Sequence, residues 1–191
     1  MIYTSMTEPW TVAVYSGRMI NVSNLQPEDI DLRDIAHALS LQCRYNGHCR
    51  FHYSVAQHSV AVCNFVLEET NNLRAGLVAL LHDASEAYIS DIVRGCKRQM
   101  PAYCELEAQV QDRIFKKLGL IEYQDYHDVV KKWDNRVLKS EVLALIRGKG
   151  HDWPGFDEVK AAQLEILELS PGQAEDAFLV ALNNLSMRLW A

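Results

Sequence analysis

Residues 76–88 read GLVALLHDASEAY, and this stretch decides how the rest of the sequence is interpreted. Its first six residues are apolar or small and predict a buried helix, which then ends in side chains that bind metals or protons. At helical spacing Glu86 lies four residues after His82 and three after Asp83, so the three would share one face. Because an unpaired buried charge is costly, partners from elsewhere in the chain are expected to complete this cluster.

Two further metal-type side chains, His58 and Asp134, stand on otherwise apolar predicted helices. With His82 and Asp83 they give two imidazoles and two carboxylates from three predicted helices, as metal sites in helical bundles require. Such a mixed nitrogen and oxygen set suits a divalent ion such as Mn, Co, Zn, Fe or Mg. Four protein ligands on an octahedral ion would leave two positions for water and substrate.

The rest of the chain predicts a small helical domain with one short β-hairpin. Alternating apolar residues around Ser16-Gly17 predict two strands, and 3.6-residue periodicity with capping residues predicts the helices. The predicted strands are 10–15 and 18–22, and the predicted helices are 30–41, 55–69, 76–88, 102–118, 126–147 and 171–189. The segments 42–53, 89–100 and 148–170 are predicted as loops. Residues 1–191 contain no repeat or linker, so a single all-α domain with its core at about 30–147 is expected.

Composition narrows the class of protein. The chain has 191 residues, of which 49% are hydrophobic, and only 9 Gly and 5 Pro, which is typical of a globular domain. Its formal net charge is -6 and no basic stripe is present, so a nucleic-acid duplex is not an expected partner. Five cysteines without a CxxC spacing predict free thiols and a cytoplasmic location. Neither a signal-peptide pattern nor an apolar run of about 18 residues is found, so no membrane insertion is expected.

Together, His58, His82-Asp83 and Asp134 match the H…HD…D signature of the HD-domain phosphohydrolases. The segments SVAQHS (54–59), LHDASE (81–86) and DN (134–135) resemble the YfbR-type 5′-deoxynucleotidase branch. The chain is also similar to the small phage dATP triphosphohydrolases of DatZ type. The resemblance covers about residues 30–147 and implies an HD-domain helical bundle in which His58, His82, Asp83 and Asp134 hold a divalent metal.

The same resemblance implies roles for five further residues. Glu86 and Asp91 are expected to position or deprotonate the attacking water. Arg44 stands where the family has a phosphate-binding arginine, and such a guanidinium can grip phosphate with two hydrogen bonds. Tyr45 follows it where the family often has Trp, and is the candidate for a further substrate contact. Lys97 is the second expected phosphate contact.

The leading hypothesis is a metal-dependent phosphoric ester hydrolase that removes phosphate from 2′-deoxynucleoside 5′-monophosphates. A dNTP triphosphohydrolase is the first alternative, since Arg94, Lys97 and Arg98 offer charges for additional phosphates. A non-catalytic nucleotide or metal sensor is the second, although the pair Glu86 and Asp91 favours catalysis. A small-molecule deoxynucleotide is therefore the expected ligand, and a homo-oligomer, a dimer or larger, is the expected state.

Overall fold

The computed structural model describes residues 10–148 and 155–190. These residues form a two-stranded antiparallel hairpin and eight α-helices, which confirms the predicted all-α class with a small N-terminal hairpin. The strands are β1 (Thr11–Ala13) and β2 (Met19–Asn21). The helices are α1 (Leu32–Leu41), α2 (Val55–Thr70), α3 (Leu73–Leu80), α4 (Glu86–Ile89), α5 (Arg94–Lys97), α6 (Pro101–Lys117), α7 (His127–Leu145) and α8 (Pro171–Leu189). Part of the predicted loop 148–170, namely residues 149–154, lies outside the described residues.

The starts of two long helices follow the capping residues in the sequence. The Ser54 hydroxyl accepts a hydrogen bond from the Gln57 N–H, and the Gln57 side chain accepts one from the Ser54 N–H, which fixes the start of α2. Ser170 and Gln173 form the same reciprocal pair before α8, where Pro171 occupies the first helical position. The predicted bounds of α2 and α8 therefore closely match the structure.

The hydrophobic core surrounds α2, which packs against α1, α3, α7 and α8. Helix α3 approaches α2 at Gly76, where an added Cβ would lie 2.4 Å from Leu67 Cδ2. Full burial of one large aliphatic or aromatic side chain contributes about 1.5–3 kcal/mol. The core side chains of these helices include Val62, Val66, Leu77, Leu80 and Phe178. This packing fixes the position of α2, and with it the side chain of His58.

The segment 76–88 is not the single helix that its sequence predicts. Helix α3 ends at Leu80, the following residues form turns, and α4 begins only at Glu86. Side chains satisfy carbonyl groups at this helix end. His82 Nδ1 lies 2.8 Å from the Ala79 carbonyl oxygen, and Gln111 Nε2 donates to the Leu81 carbonyl oxygen at 2.7 Å. The helical spacing assumed for His82, Asp83 and Glu86 is therefore wrong, although all three remain close in sequence to the end of α3.

The predicted loop 89–100 also differs from expectation, because it contains the one-turn helix α5. Between α4 and α5 the chain turns at Ser90, whose φ is +73°. Tyr103 of α6 donates its hydroxyl to the Ser90 carbonyl oxygen at 2.6 Å, which holds this turn against α6. Within the described ranges no helix combines the length and apolar character needed to cross a membrane.

Candidate metal centre

Two long helices and one turn bring the four predicted metal ligands together. His58 projects from the first turn of α2 and Asp134 from the middle of α7, while His82 and Asp83 lie in the turn after α3. His58 Nε2 lies 3.3 Å from Asp134 Oδ1 and 3.9 Å from Asp83 Oδ2. His82 Nε2 lies 3.1 Å from Asp83 Oδ2. One donor atom from each of His58, His82 and Asp134 lies within 4.8 Å of the other two.

Both histidines direct the same ring atom to the centre, because the other ring nitrogen has a partner. His58 Nδ1 lies 2.8 Å from Glu141 Oε1, and His82 Nδ1 lies 2.8 Å from the Ala79 carbonyl oxygen. Ionised carboxylate and carbonyl oxygens only accept hydrogen bonds, so each Nδ1 carries the hydrogen. Both Nε2 atoms are buried, and neither makes a hydrogen bond of normal geometry with the described residues. This is the arrangement expected of metal-binding imidazoles.

The donor set fits a divalent ion. Metal–ligand bonds of about 2.0–2.2 Å place the donor atoms of one ion about 3–4 Å apart. The separations of 3.1, 3.3 and 3.9 Å between imidazole nitrogens and carboxylate oxygens fall in that range. Imidazole and carboxylate ligands suit the transition metals, and carboxylates also suit Mg. His58, His82 and Asp134 could therefore hold such an ion, and Asp83 lies beside them.

Opposite charges in the centre stabilise one another. Burial lowers the pKa of His58, but the carboxylates of Glu141 and Asp134 outweigh burial and raise this pKa to about 9. Burial alone would raise the pKa values of Asp83 and Asp134. Both pKa values nevertheless lie below the usual range, that of Asp83 mainly because of His82 and that of Asp134 mainly because of His58. Both carboxylates are therefore ionised near neutral pH, as the binding of a cation would require.

The two predicted acid–base residues line the same cavity on less regular backbone. Glu86 begins α4 and is buried, and its Oε2 atom makes no hydrogen bond within the described part of the chain. Burial, followed by the charges of Asp83 and Asp91, raises the pKa of Glu86 well above its usual value. Burial likewise raises the pKa of Asp91, whose N–H donates to Gln42 Oε1 at 3.0 Å. A carboxyl group with a raised pKa suits a residue that accepts and releases protons near neutral pH.

Arg44 and Tyr45 lie in the turn between α1 and α2 and reach the metal centre through Glu141. Arg44 Nε donates to Glu141 Oε2 at 3.0 Å, and Arg44 Nη1 lies 3.9 Å from Asp83 Oδ2. The Tyr45 hydroxyl donates to the same Glu141 oxygen at 2.7 Å. Tyr45 and Asn46 adopt φ values of +58° and +51°, which cost about 1–3 kcal/mol each for residues other than glycine. The structure therefore places Arg44 at the cavity wall, whereas the Tyr45 hydroxyl helps to hold Glu141.

Basic residues line the outer part of the cavity, whose volume is about 530 Å³. Lys97, the second predicted phosphate contact, is among them, but its Nζ lies 2.6 Å from Glu107 Oε1 and its charge is already paired. Lys131 Nζ lies 2.5 Å from Asp134 Oδ2, and Arg94 Nη2 lies 3.7 Å from the same oxygen. Both of these side chains are about half exposed. The cavity therefore combines a buried acidic floor with a basic outer wall.

The sequence did not single out two residues that shape this site, Glu141 and Gln42. Glu141 lies seven residues after Asp134, which is about two helical turns, so both residues occupy one face of α7. A search for a second buried polar residue on that face would have found it. Gln42 Nε2 donates to the Glu86 carbonyl oxygen at 2.9 Å, while its Oε1 accepts from the Asp91 N–H. Gln42 stands in a loop, where periodicity gives no comparable signal.

Comparison with known proteins identifies a family. The family described as HD domain matches residues 47–149, more than half of the chain. The uncharacterized protein YfdR of Escherichia coli (strain K12) is 34% identical over 176 residues, which cover 92% of this chain and 95% of that protein. The uncharacterized protein RCAP_rcc00048 of Rhodobacter capsulatus is 29% identical over 154 residues, which cover 78% of this chain and 76% of that protein.

The matched range contains the metal cluster and the carboxyl pair, but it begins after Arg44 and Tyr45. HD domains are typically metal-dependent hydrolases, and the cluster of His58, His82 and Asp134 agrees with that chemistry. Neither relative is named for an activity. The comparisons therefore support the HD-domain resemblance but do not distinguish a YfbR-type from a DatZ-type branch.

Proposed function

This chain belongs to the HD-domain family, and from that premise we propose that it is a metal-dependent phosphohydrolase of 2′-deoxynucleoside 5′-monophosphates. The proposed reaction converts the monophosphate and water to a deoxynucleoside and inorganic phosphate. The observation that carries the proposal is the lining of one cavity. Proposed metal ligands, Arg44, and the carboxyl groups of Glu86 and Asp91 all line it. Metal-assisted hydrolysis of a phosphate ester can use all three kinds of group.

Each part of the cavity has a proposed role in substrate binding. A divalent ion held by the two histidines and two aspartates would polarise a phosphoryl oxygen and acidify water. Arg44 is proposed to bind the phosphate. Because Glu141 engages the Nε edge of the guanidinium, the Nη edge is the part offered to phosphate oxygens. Burial of Arg44 strengthens such a contact, since water competes less for it.

Glu86 is the proposed proton acceptor for the attacking water, and Asp91 is proposed to orient that water with it. The pKa of Glu86 is raised by burial and by its acidic neighbours, so the protonated product of the transfer is stabilised in the cavity. Asp91 is held beside Glu86 because Gln42 bonds to the backbone of both residues. Positioned proton transfer of this kind accelerates a reaction by about 10²–10⁴-fold.

A dNTP triphosphohydrolase is the second candidate, and the basic outer wall of the cavity favours it. Arg94, Arg98 and Lys131 all line the cavity and are exposed enough to meet a longer phosphate chain. Lys97 contributes less to this reading because Glu107 already pairs with it. A non-catalytic sensor is the third candidate, although a buried water-activating pair gives a sensor no evident advantage.

Product analysis separates these candidates. The purified protein would be stripped of metal, reloaded with Mn, Co, Zn or Mg, and incubated with panels of dNMPs, NMPs and dNTPs, and the products separated by ion-exchange chromatography. We expect inorganic phosphate and deoxynucleoside from dNMPs, with little from NMPs. Release of inorganic triphosphate from dNTPs would replace the monophosphatase by the second candidate. No turnover with any metal would favour the sensor.

Asp83→Asn supplies the matched test of the centre, with Asp128→Asn as its control on α7. Asp128 has a fully exposed side chain, so its neutralisation should change neither metal content nor activity. Asp83→Asn should lose both bound metal and hydrolysis. Retention of metal and activity by Asp83→Asn would contradict the proposed ligand set.

We also propose that the protein is a cytoplasmic homo-oligomer that does not bind duplex nucleic acid. Exposed apolar side chains on the outer face of α8, Val180 and Met187, support self-association. Light scattering coupled to size-exclusion chromatography would test it, with a mass of one chain as the contradicting result.

A further inference from the structure

Glu141 contacts both a residue of the metal cluster and the proposed phosphate-binding residue. It is fully buried on α7, about two helical turns from Asp134. Its Oε1 lies 2.8 Å from His58 Nδ1. Its Oε2 accepts hydrogen bonds from Arg44 Nε at 3.0 Å and from the Tyr45 hydroxyl at 2.7 Å. One carboxylate therefore contacts both a proposed metal ligand and the proposed phosphate-binding residue.

The chemistry of these contacts determines what His58 can do. An ionised carboxylate has no hydrogen to donate, so the hydrogen between it and the imidazole must belong to His58 Nδ1. A neutral His58 then has its lone pair on Nε2, the atom directed at Asp134 and Asp83. The other carboxylate oxygen fixes the Arg44 guanidinium through Nε, which sets the plane of the group.

We propose that Glu141 is a positioning residue that joins metal binding to phosphate binding: one of its oxygens holds His58 as the metal-binding tautomer, and the other orients Arg44 for phosphate. This inference rests on the proposed function for the phosphate half and on the metal cluster alone for the other half. Because both halves depend on one buried group, a change at Glu141 affects both. Mutation of a residue that is hydrogen-bonded to a metal-binding histidine commonly weakens metal affinity by about 10–100-fold.

Glu141→Gln tests the proposal because it keeps the size of the side chain and removes one acceptor oxygen. If the new NH₂ group faces His58, it donates to Nδ1 and favours the tautomer with hydrogen on Nε2. In that tautomer Nε2 has no free lone pair for the metal. If it faces Arg44, it meets the Nε–H donor and displaces the guanidinium. Either orientation breaks one of the two connections. In both, the loss of the carboxylate charge beside Nδ1 makes His58 a less basic and weaker metal ligand.

The matched control is Asp34→Asn, which neutralises another buried carboxylate away from the metal centre. Asp34 accepts hydrogen bonds from the Ser16 N–H and hydroxyl and lies 3.6 Å from Arg18. Calorimetric titration with Mn²⁺ should show binding about 10–100-fold weaker in Glu141→Gln and unchanged in Asp34→Asn. Circular dichroism and thermal unfolding establish that both variants are folded. A folded Glu141→Gln that binds Mn²⁺ within twofold of the unaltered protein would overturn the proposal, whatever its activity.

The phosphate half is read from kinetics at saturating metal. Glu141→Gln should raise KM for the substrate by about tenfold, and Arg44→Gln should do the same or more. The double variant should raise KM no further than Arg44→Gln alone, because both changes remove the same contact between Glu141 and Arg44. Fully additive effects on KM would overturn this half. If the protein hydrolyses no nucleotide, the Mn²⁺ titration still decides the metal half, so the two failures are distinguishable.

A measurement on the unaltered protein covers the case in which Glu141→Gln does not fold. NMR of the Zn²⁺-loaded protein labelled with ¹⁵N-histidine reports which ring nitrogen binds the metal. We expect His58 to show a hydrogen-bonded Nδ1–H resonance and zinc at Nε2. Zinc at Nδ1 would overturn the proposal, because that atom is the one assigned to Glu141.

Discussion

The candidate site has two halves that are built differently. The first is the long-helix half, where His58 stands on the 16-residue α2 and Asp134 and Glu141 on the 19-residue α7. The second is the short-segment half, where Glu86 stands on α4 and Lys97 on α5, two helices of four residues each. Helices α2 and α7 pack directly on each other within the core. Of the two short helices, α4 packs against α1 and buries Tyr88, whereas α5 has no buried residue.

This difference suggests a division of labour. A metal ion needs donor atoms at fixed separations, and residues on long packed helices supply them with little conformational freedom. Substrate must enter and product must leave, and a short segment without buried residues, such as α5, opens at low free energy. His82 and Asp83 stand at the boundary, in the turn that leads from packed α3 to α4. We therefore expect metal binding to depend on the first half, and turnover on both.

The largest effect is expected from Asp134→Ala in the long-helix half. It removes a carboxylate that lies 3.3 Å from His58 Nε2, so Mn²⁺ binding should weaken by more than the roughly 10–100-fold typical of outer partners. Hydrolysis should fall to background with it. Metal content by mass spectrometry and rates by phosphate release measure both, with Asp128→Ala on the same helix as the control. Stoichiometric metal in Asp134→Ala would show that the helices do not set the metal site.

Glu86→Gln should separate the two halves. It changes the short-segment half without removing a proposed metal ligand, so Mn²⁺ affinity should stay within about threefold while kcat falls by about 10²–10⁴-fold. Glu105→Gln on the exposed face of α6 is the matched control, and it should leave kcat unchanged. Equal losses of metal affinity and of kcat in Glu86→Gln would instead make Glu86 part of the metal centre.

The same division explains what the sequence predicted. Long helices repeat an apolar pattern over several turns, so α2, α7 and α8 were predictable, and a polar residue that breaks the pattern, such as His58 or Asp134, is conspicuous. Glu141 breaks the pattern of α7 in the same way and was predictable on that ground. Its partners were not, because periodicity gives the face of a helix and not the side chain that approaches from another loop.

The short-segment half was much less predictable. The apolar run before His82 predicts continued helix, and nothing local in the sequence reveals that Gln111 of α6 donates to the Leu81 carbonyl oxygen just after the end of α3. The paired state of Lys97 depends equally on Glu107 from another helix. Such long-range hydrogen bonds decide the conformation of one-turn segments, where intrinsic helix stability is too small to do so.

Rising pH should lower the folding stability of the metal-free protein and raise its affinity for Mn²⁺. The pKa of His58 is raised from about 6.5 to about 9, so its protonated form stabilises protein stripped of metal by a chelator. That stabilisation, on the order of 3 kcal/mol, is fully present below pH 6.5 and is lost as pH rises through 9. Metal competes with the proton on Nε2, so Mn²⁺ affinity should rise by about tenfold per pH unit across the same window.

Thermal unfolding and calorimetry at several pH values measure these two slopes. The stripped protein should unfold at a lower temperature as pH rises from 6.5 to 9, whereas Mn²⁺ should bind more tightly. Asp134→Ala should flatten the first slope, because the loss of this carboxylate lowers the pKa of His58. An Mn²⁺ affinity that does not change with pH would contradict the assignment of His58 as a ligand.

The smallest effect is expected from Gln42→Ala, which loosens the short-segment half alone. The Gln42 amide bonds the backbone of Glu86 at 2.9 Å and of Asp91 at 3.0 Å. Loss of two such bonds, at about 1 kcal/mol each, should lower kcat by up to about 30-fold and leave Mn²⁺ affinity unchanged. Gln124→Ala, at an exposed position outside the cavity, controls for the substitution. Hydrogen exchange at the Asp91 amide should become faster in Gln42→Ala only. If exchange accelerates while kcat stays constant, the carboxyl pair does not need a fixed backbone. The difference between the long-helix half and the short-segment half would then have no consequence for turnover.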